Sequence, residues 1–240
     1  MASIFNEGHF VTVGPYLKHD TNVLKYGLKL YARKHTEDIG YYGTTAKPWT
    51  REWFKPSRGE IVVDCGSSVG IFSLIAGKHG ATVYAFEANP ETFEVLRKNI
   101  EINDLEHVIK PYNLGLSNET GEINLYIPGE YTGTSSFDAE WSSDLIKKTG
   151  KLKTVKVKTV KLDDILSEVM KIDWLLIDVE GHEIQLLRGT LSTLEKCDKI
   201  IIEISNDKKT ETIELLQKAG FVLRCSGDPD EKVQYFYFTK

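Results

Sequence analysis

The pattern of hydrophobic and polar residues along positions 60–240 predicts strands that alternate with helices. Short apolar runs such as Ile61–Cys65 and residues 174–179 predict buried strands. Apolar residues spaced three or four apart predict the helices between them, one of which begins at Asn89 and Pro90, a pair typical of a helix N-terminus. This alternation is typical of an α/β fold, in which helices cover both faces of a mostly parallel sheet.

The same patterns predict the remaining elements of the chain. Further strands are expected at 81–86, 108–113, 199–204, 221–225 and 234–238, and further helices at 69–78 and 211–219. One helix is predicted after residue 182, with an apolar face formed by Ile184, Leu187, Leu191 and Leu194. Residues 122–127 and 154–161 alternate at period two, which predicts antiparallel or edge strands.

Residues 1–55 do not show this alternation of predicted strands and helices. Thr21 is a suitable N-cap for a helix, and a loop rich in glycine, tyrosine and threonine follows at 40–45. The apolar positions of the helix predicted after Thr21 are Leu24, Leu28 and Tyr31. We therefore expect an N-terminal helical extension over 1–55, acting as a lid or a dimer contact, and a main domain over 56–240.

Composition and charge narrow the class of protein. The chain has 240 residues, 41% hydrophobic and 27% charged, which supports a packed core. Its three cysteines lack CxxC spacing, so we expect neither a disulfide framework nor a zinc site, and a reducing, cytoplasmic compartment. No apolar stretch approaches the roughly 20 residues of a membrane helix, and residues 1–10 predict no secretory signal. The net charge of −5 argues against a chain-wide nucleic-acid surface, although residues 147–161 contain seven lysines.

A glycine-containing turn follows the first predicted strand of the main domain. Gly66 permits a tight turn with positive φ, and Gly70 allows the next helix to pack close to the sheet. Glu87 lies 21 positions after Gly66, the spacing at which dinucleotide-binding folds place an acidic residue on a ribose. A carboxylate suits a ribose because it can accept hydrogen bonds from both hydroxyls.

The same turn disfavours a nicotinamide dinucleotide. The pyrophosphate-binding pattern G-x-G-x-x-G lacks its middle glycine here, because Ser67 and Ser68 follow Gly66. Asp64 would repel a pyrophosphate but can bind an ammonium group. S-adenosylmethionine carries a ribose and an amino acid but no phosphate, so it fits these residues better. A nicotinamide-dependent oxidoreductase and a non-catalytic adenosyl-binding protein are the alternatives.

Polar residues also close the predicted strand at 174–179. Glu180 and His182 follow Asp178 at period two, so the three side chains can share a direction. Carboxylate and imidazole groups can deprotonate a hydroxyl or bind a divalent cation such as magnesium. Alternatively, Asp178 orients the cofactor, Glu180 bonds loop amides and His182 caps the next helix. Glu203, inside an apolar run, either faces the same crevice or forms a structural salt bridge.

Three motifs resemble those of the FkbM-type family of class I S-adenosylmethionine-dependent methyltransferases. They are residues 64–70, residues 86–90 and, above all, Ile-Asp-Val-Glu-Gly-His-Glu at 177–183. The resemblance covers about residues 60–205, and it implies a Rossmann-like sheet of seven strands that ends in an antiparallel hairpin. The chain departs from the family at residues 65–68, where G-A-N is more usual.

The resemblance also implies where the cofactor, S-adenosylmethionine, binds. The methionine part would lie at the glycine turn, the ribose at Glu87 and the adenine near Asn113. The cofactor-binding residues predicted in this way are Asp64, Gly66, Ser67, Ser68, Gly70, Glu87, Ala88, Asn113 and Asp178.

Together these observations predict methyl transfer from S-adenosylmethionine to a hydroxyl oxygen of a small molecule or a sugar. The candidate catalytic residues are Asp178, as a base or as the orienter of one, His182 and Glu203. No metal is part of the predicted site, although magnesium bound by Asp178, Glu180 and His182 stays open. The expected partner is a small-molecule hydroxyl acceptor, not nucleic acid or a membrane, and a homo-oligomer is left open. A methyltransferase of RNA or another macromolecule is the alternative that the lysines at 147–161 favour.

Overall fold

A computed structural model describes residues 9–12, 27–33, 36, 38, 52–141, 143–228 and 231–240. The strands are β1 (His9–Thr12), β2 (Lys29–Ala32), β3 (Ile61–Cys65), β4 (Thr82–Phe86), β5 (Ile109–Tyr112), β6 (Gly115–Leu116), β7 (Gly121–Ile127), β8 (Lys153–Val160), β9 (Ile172–Ile177), β10 (Cys197–Ser205), β11 (Val222–Ser226) and β12 (Val233–Thr239). The helices are α1 (Ile71–Lys78), α2 (Pro90–Glu101), α3 (Ser143–Thr149), α4 (Leu162–Ile165), α5 (Glu183–Arg188), α6 (Leu191–Glu195) and α7 (Lys209–Lys218). No helix in these ranges is long and apolar enough to cross a membrane.

Seven strands form the central sheet in the order β11-β12-β10-β9-β3-β4-β5. Strands β3, β4, β5, β9 and β10 pair in parallel, whereas β12 runs antiparallel to both β10 and β11. The predicted mostly parallel sheet with an antiparallel closing strand is confirmed. The direction of chain progression reverses between β3 and β9, so their carboxyl ends border the crevice in which such sheets bind ligands.

Apolar side chains bury both faces of this sheet. Val62 and Leu176 belong to one cluster with α1 and α2, while Val63 and Leu175 belong to the other with α5. Consecutive strand residues point to opposite faces, so a strand covered on both sides needs apolar residues at successive positions. This explains why the central strands are continuous apolar runs in the sequence.

Strands β7 and β8 confirm the period-two prediction, because they pair antiparallel and form a separate three-stranded sheet with β6. Val155 and Val157 pack in its small apolar cluster, whereas Lys156 and Lys158 are exposed. Glu122 lies opposite Lys158 across the pair. The alternating lysines thus form the solvated face of a half-buried strand.

The helix predicted after Thr21 is wrong where the structure describes it. Leu28, Leu30 and Ala32 are buried in alternation, which is the period of a strand, and the segment forms β2. The predicted features that lie outside the described residues are Thr21, Leu24 and the loop at 40–45.

Two asparagine side chains, one in α2 and one just after its end, bond to the backbone of β2. Asn103 Oδ1 accepts from the Lys29 N–H at 2.8 Å, and Asn99 Oδ1 accepts from the Tyr31 N–H at 2.6 Å. These bonds satisfy backbone groups that a helix would satisfy internally. The strand pairs antiparallel with β1 and also depends on side-chain partners that lie about 70 residues away in sequence.

The single helix predicted after residue 182 is also wrong, because α5 and α6 are separated at Gly189. A Cβ atom on Gly189 would lie 2.1 Å from the Ser117 carbonyl oxygen, so the chain passes too close there for a larger residue. The Asp163 carboxylate accepts from the backbone N–H of Thr193 at 2.7 Å and caps α6 independently. Leu191 is consequently 60% exposed instead of joining the buried face.

Candidate active site

The carboxyl ends of β3 and β9 meet at Gly66. The backbone N–H of Asp178 donates to the carbonyl of Cys65 at 2.9 Å. Gly66 has a φ of +82°, and a Cβ atom there would lie 1.7 Å from the Asp178 carbonyl oxygen. Glycine is therefore required both for the turn and for the contact between the two strand ends.

The turn after Gly66 is bonded to the end of β4. The N–H groups of Gly66 and Ser67 donate to the Phe86 carbonyl at 3.0 and 2.9 Å. Ser68, which has a φ of +49°, donates its N–H to Glu87 Oε2 at 2.9 Å. The glycine turn and the acidic residue that the sequence placed 21 positions apart are thus in direct contact.

Glu87 is buried at the end of β4, with an exposed fraction of 8%. Its Oε1 atom accepts from the Asn89 N–H at 2.8 Å, in addition to the bond from Ser68 at Oε2. Burial raises the pKa of Glu87 to about 7, and the two N–H donors oppose that shift. A carboxylate has about four acceptor positions, so two remain for a ligand such as a diol.

Asp64 is buried at the end of β3, where the Ser73 hydroxyl of α1 donates to its Oδ2 atom at 2.5 Å. Burial raises the pKa of Asp64 to about 6. Gly70 begins α1, and a Cβ atom there would lie 2.6 Å from Leu96 Cδ1 of α2. The predicted close packing of Gly70 on the sheet is therefore wrong, since the close approach is to α2.

Asn113 holds the end of β4 against the end of β5. Its side-chain amide donates to the carbonyls of Glu87 and Ala88 at 2.8 and 3.2 Å. Ala88 and Leu114 line a cavity beside these carbonyls. Asn113 is therefore placed to shape this part of the crevice through the backbone.

Two cavities flank the glycine turn, and both are bordered by Gly66, Ser68 and Asp178. The residues that further line the first cavity are Phe86, Glu87, Ala88, Leu114, Gly115, Leu116, Leu125, Thr132, Gly133, Ser135, Phe137, Val179 and Glu180. Those that further line the second cavity are Asp64, Ser67, Val69, Ile71, Phe72, Leu176, Ile177, Ile201 and Tyr235. Asp178 thus lies between Glu87 on one side and Asp64 on the other.

Three carboxylates gather at the ends of β9 and β10. One oxygen each of Asp178, Glu180 and Glu203 lies within 4.8 Å of the others. The structure therefore brings Glu203 close to Asp178, although Glu203 is not among the residues that line the two cavities. Tyr235 of β12 lies opposite Glu203 and donates its hydroxyl to Asp178 Oδ2 at 2.6 Å. Sequence reasoning missed Tyr235, because its place depends on the register of the closing strands.

His182 points elsewhere. Its Nε2 atom lies 2.9 Å from the Ser117 hydroxyl, and its ring packs edge-on against Phe137 with 4.9 Å between centroids. Burial lowers the pKa of His182 to about 4, so the imidazole is neutral at physiological pH. The sequence left open a magnesium site formed by Asp178, Glu180 and His182. Among the described residues, the carboxylates that lie together are instead those of Asp178, Glu180 and Glu203.

The described residues between β7 and β8, 128–141 and 143–152, are called the β7–β8 segment here, and its residues 132–137 line the first cavity. Its Ser136 hydroxyl donates to the Glu180 carbonyl at 2.6 Å, and its Trp141 indole N–H donates to Glu180 Oε2 at 2.8 Å. Trp141 also packs on Gly181, where a Cβ atom would come within 2.7 Å of the ring. The bond between Trp141 and Glu180 could not be predicted from sequence spacing, because the two residues belong to separate segments of the chain.

The sheet order, with a glycine turn and buried acids at its switch point, is that of the Rossmann-like class I fold. A crystal structure of the M. jannaschii tRNA m1G37 methyltransferase has this fold: its TM-score is 0.51 at 18% identity, over 89% of this chain and 54% of that one. At that identity the likeness concerns the fold alone.

Residues 64–223 match the methyltransferase FkbM domain, and the chain belongs to that family. It is 30% identical over 148 residues to the hexuronic acid methyltransferase AglP of Haloferax volcanii, and this alignment covers 60% of this chain and 56% of AglP. It is 27% identical over 201 residues to methyltransferase 1 of Beauveria bassiana, and this alignment covers 75% of this chain and 80% of that protein. Membership in this family supports methyl transfer as the class of reaction.

Proposed function

We propose that the protein transfers a methyl group from S-adenosylmethionine to a hydroxyl oxygen of a small molecule or a sugar. The observation that carries this proposal is the position of Asp178 between two cavities, one holding Glu87 and the other Asp64. The nucleoside end of S-adenosylmethionine suits the cavity with Glu87, and its amino-acid end suits the cavity with Asp64. The methyl group on the sulfur lies between those two ends.

The donor set fits this cofactor. Glu87 retains acceptor capacity for a ribose diol, and Leu114 and Leu116 offer apolar surface to an adenine. Asp64 offers a carboxylate to the ammonium group of the methionine part. Buried carboxylates on both sides of the turn would be unfavourable for a pyrophosphate, which argues against a dinucleotide.

S-adenosylmethionine supplies an electrophilic methyl group on a positively charged sulfur. The protein contributes chiefly by holding the acceptor oxygen in line with that group. Asp178 is placed to receive the proton that the hydroxyl loses, and such general-base assistance typically contributes about 10² to 10⁴-fold. Glu180, fixed by Trp141, is placed to orient the acceptor.

The charge of the site favours an uncharged hydroxyl as acceptor. Asp178, Glu180 and Glu203 would repel a carboxylate, and each can accept a hydrogen bond from a hydroxyl. The name of AglP specifies a hexuronic acid, which carries both hydroxyls and a carboxylate. A comparison of neutral sugars with uronic acids therefore tests the proposed preference directly.

The experiment incubates the purified chain with methyl-labelled S-adenosylmethionine and four acceptor sets: neutral sugars, uronic acids, small alcohols and transfer RNA. Label in a neutral sugar or alcohol as an alkali-stable ether supports the proposal. Label in the RNA, or in a uronic acid as an alkali-labile ester, contradicts it. The Asp178→Asn variant shows whether the transfer depends on this site.

A further inference from the structure

Tyr235 donates a short hydrogen bond to the residue placed between the two cavities. Its hydroxyl lies 2.6 Å from Asp178 Oδ2, and its side chain lines the second cavity beside Asp64 and Asp178. The antiparallel register of β10 and β12 sets Tyr235 directly opposite Glu203. The phenol therefore reaches across β10 from the closing hairpin to the end of β9.

The surroundings keep the phenol protonated and hence a donor. Burial raises the pKa of Tyr235 well above its usual value, and the charges of Asp178 and Glu203 raise it further. A hydroxyl that donates to a carboxylate forms one of the stronger hydrogen bonds in proteins. The bond consequently restricts the rotation of the Asp178 side chain.

We propose that Tyr235 is a positioning residue that holds the Asp178 carboxylate at the wall shared by the two cavities. The inference rests on the proposed function, in which the sulfur of the methyl donor lies beside Asp178. A fixed carboxylate there attracts a positively charged sulfonium and offers no such attraction to the neutral thioether of the demethylated product. Tyr235, by holding Asp178, should therefore increase the preference for S-adenosylmethionine over S-adenosylhomocysteine.

Calorimetric titration with these two compounds tests the proposal without a known acceptor. We expect Tyr235→Phe to lower the ratio of the two affinities by about tenfold, the scale of one hydrogen bond to a charged group. Asp178→Asn should lower the ratio at least as much. The double variant should be no worse than Asp178→Asn alone, because both changes remove the same interaction.

Tyr237→Phe is the matched control. Tyr237 lies two residues further along β12 and stacks on Trp53 and Trp174, with ring centroids 6.0 and 6.1 Å away. Its loss of a hydroxyl should leave the affinity ratio within about twofold of the wild type. Circular dichroism and thermal unfolding check that Tyr235→Phe folds like the wild type, so that a change in the ratio is not a folding defect.

The outcomes separate this inference from the function on which it rests. If the wild type binds neither compound, the proposed function fails. If it binds both, and Asp178→Asn changes the ratio while Tyr235→Phe does not, only the role of Tyr235 is overturned. Additive effects of the two substitutions would overturn it as well, since they would show that Tyr235 acts independently of Asp178.

Discussion

Replacing Gly66 by alanine should destabilise the protein far more than the same change at another left-handed glycine. At Gly66 the new methyl group would lie 1.7 Å from the Asp178 carbonyl oxygen, so β3 and β9 would have to separate. The left-handed backbone costs about 1 to 2 kcal/mol for alanine. Overpacking adds about 1 to 3 kcal/mol, and loss of the bond between Asp178 N–H and the Cys65 carbonyl adds about 1 to 3 kcal/mol. We expect a total of about 3 to 8 kcal/mol.

Gly59→Ala provides the control for this prediction. Gly59 has a φ of +83°, nearly that of Gly66, but a Cβ atom there would meet nothing within 4 Å. It should therefore cost only the backbone contribution of about 1 to 2 kcal/mol. Urea unfolding followed by circular dichroism measures both free energies. If the two variants lost equal stability within about 0.5 kcal/mol, the contact between the strand ends would not be the reason for glycine at position 66.

Three further predictions concern the crevice. Glu87→Ala should weaken S-adenosylhomocysteine binding by about ten- to a hundredfold in calorimetry, because the ribose loses its acceptor; unchanged affinity would remove the ribose assignment. Since burial raises the pKa of Glu87 to about 7, the fully accepting carboxylate gains population as the pH rises through that value. Affinity should therefore increase from about pH 6 to about pH 8 by clearly more in the wild type than in Glu87→Gln, where Asp64, whose pKa burial raises to about 6, still titrates. Equal increases in the two proteins would be evidence against the assignment. Asp178→Asn should reduce methyl transfer by about 10² to 10⁴-fold while changing S-adenosylhomocysteine affinity by less than about threefold, and the reverse pattern would make Asp178 a binding residue.

The main domain could be predicted from the sequence because its signals are local. Continuous apolar runs mark strands buried on both faces, and Asn89 caps α2 by accepting from the Glu91 N–H at 3.0 Å, as the pair Asn89–Pro90 indicates. The spacing of Gly66 and Glu87 is also local, since one strand–helix–strand unit brings them together.

The wrong predictions arise where distant partners decide the local structure. Leu28 and Tyr31 fit a helical spacing, but asparagines in and just after α2 bond to the backbone of the segment in its strand form. Apolar positions continue at helical spacing past Gly189, but the Asp163 carboxylate caps a separate helix, α6, that starts after it. Both partners are remote in sequence, so no window of local pattern contains them.

The candidate site shows the same division between local and distant signals. Asp64, Glu87 and Asp178 lie at strand ends, where the pattern of apolar runs locates them. Tyr235 depends on the register of a closing hairpin, and Trp141 depends on how the β7–β8 segment folds over Glu180. These contacts join separate elements, and sequence spacing alone does not determine them.

A crystal structure of the chain with S-adenosylhomocysteine tests the central claim most directly. We predict that the ribose hydroxyls bind the Glu87 carboxylate, that the sulfur lies beside Asp178, and that the amino-acid end enters the cavity beside Asp64. Clear density for the ligand at another surface, or with its ends exchanged between the two cavities, would contradict the account.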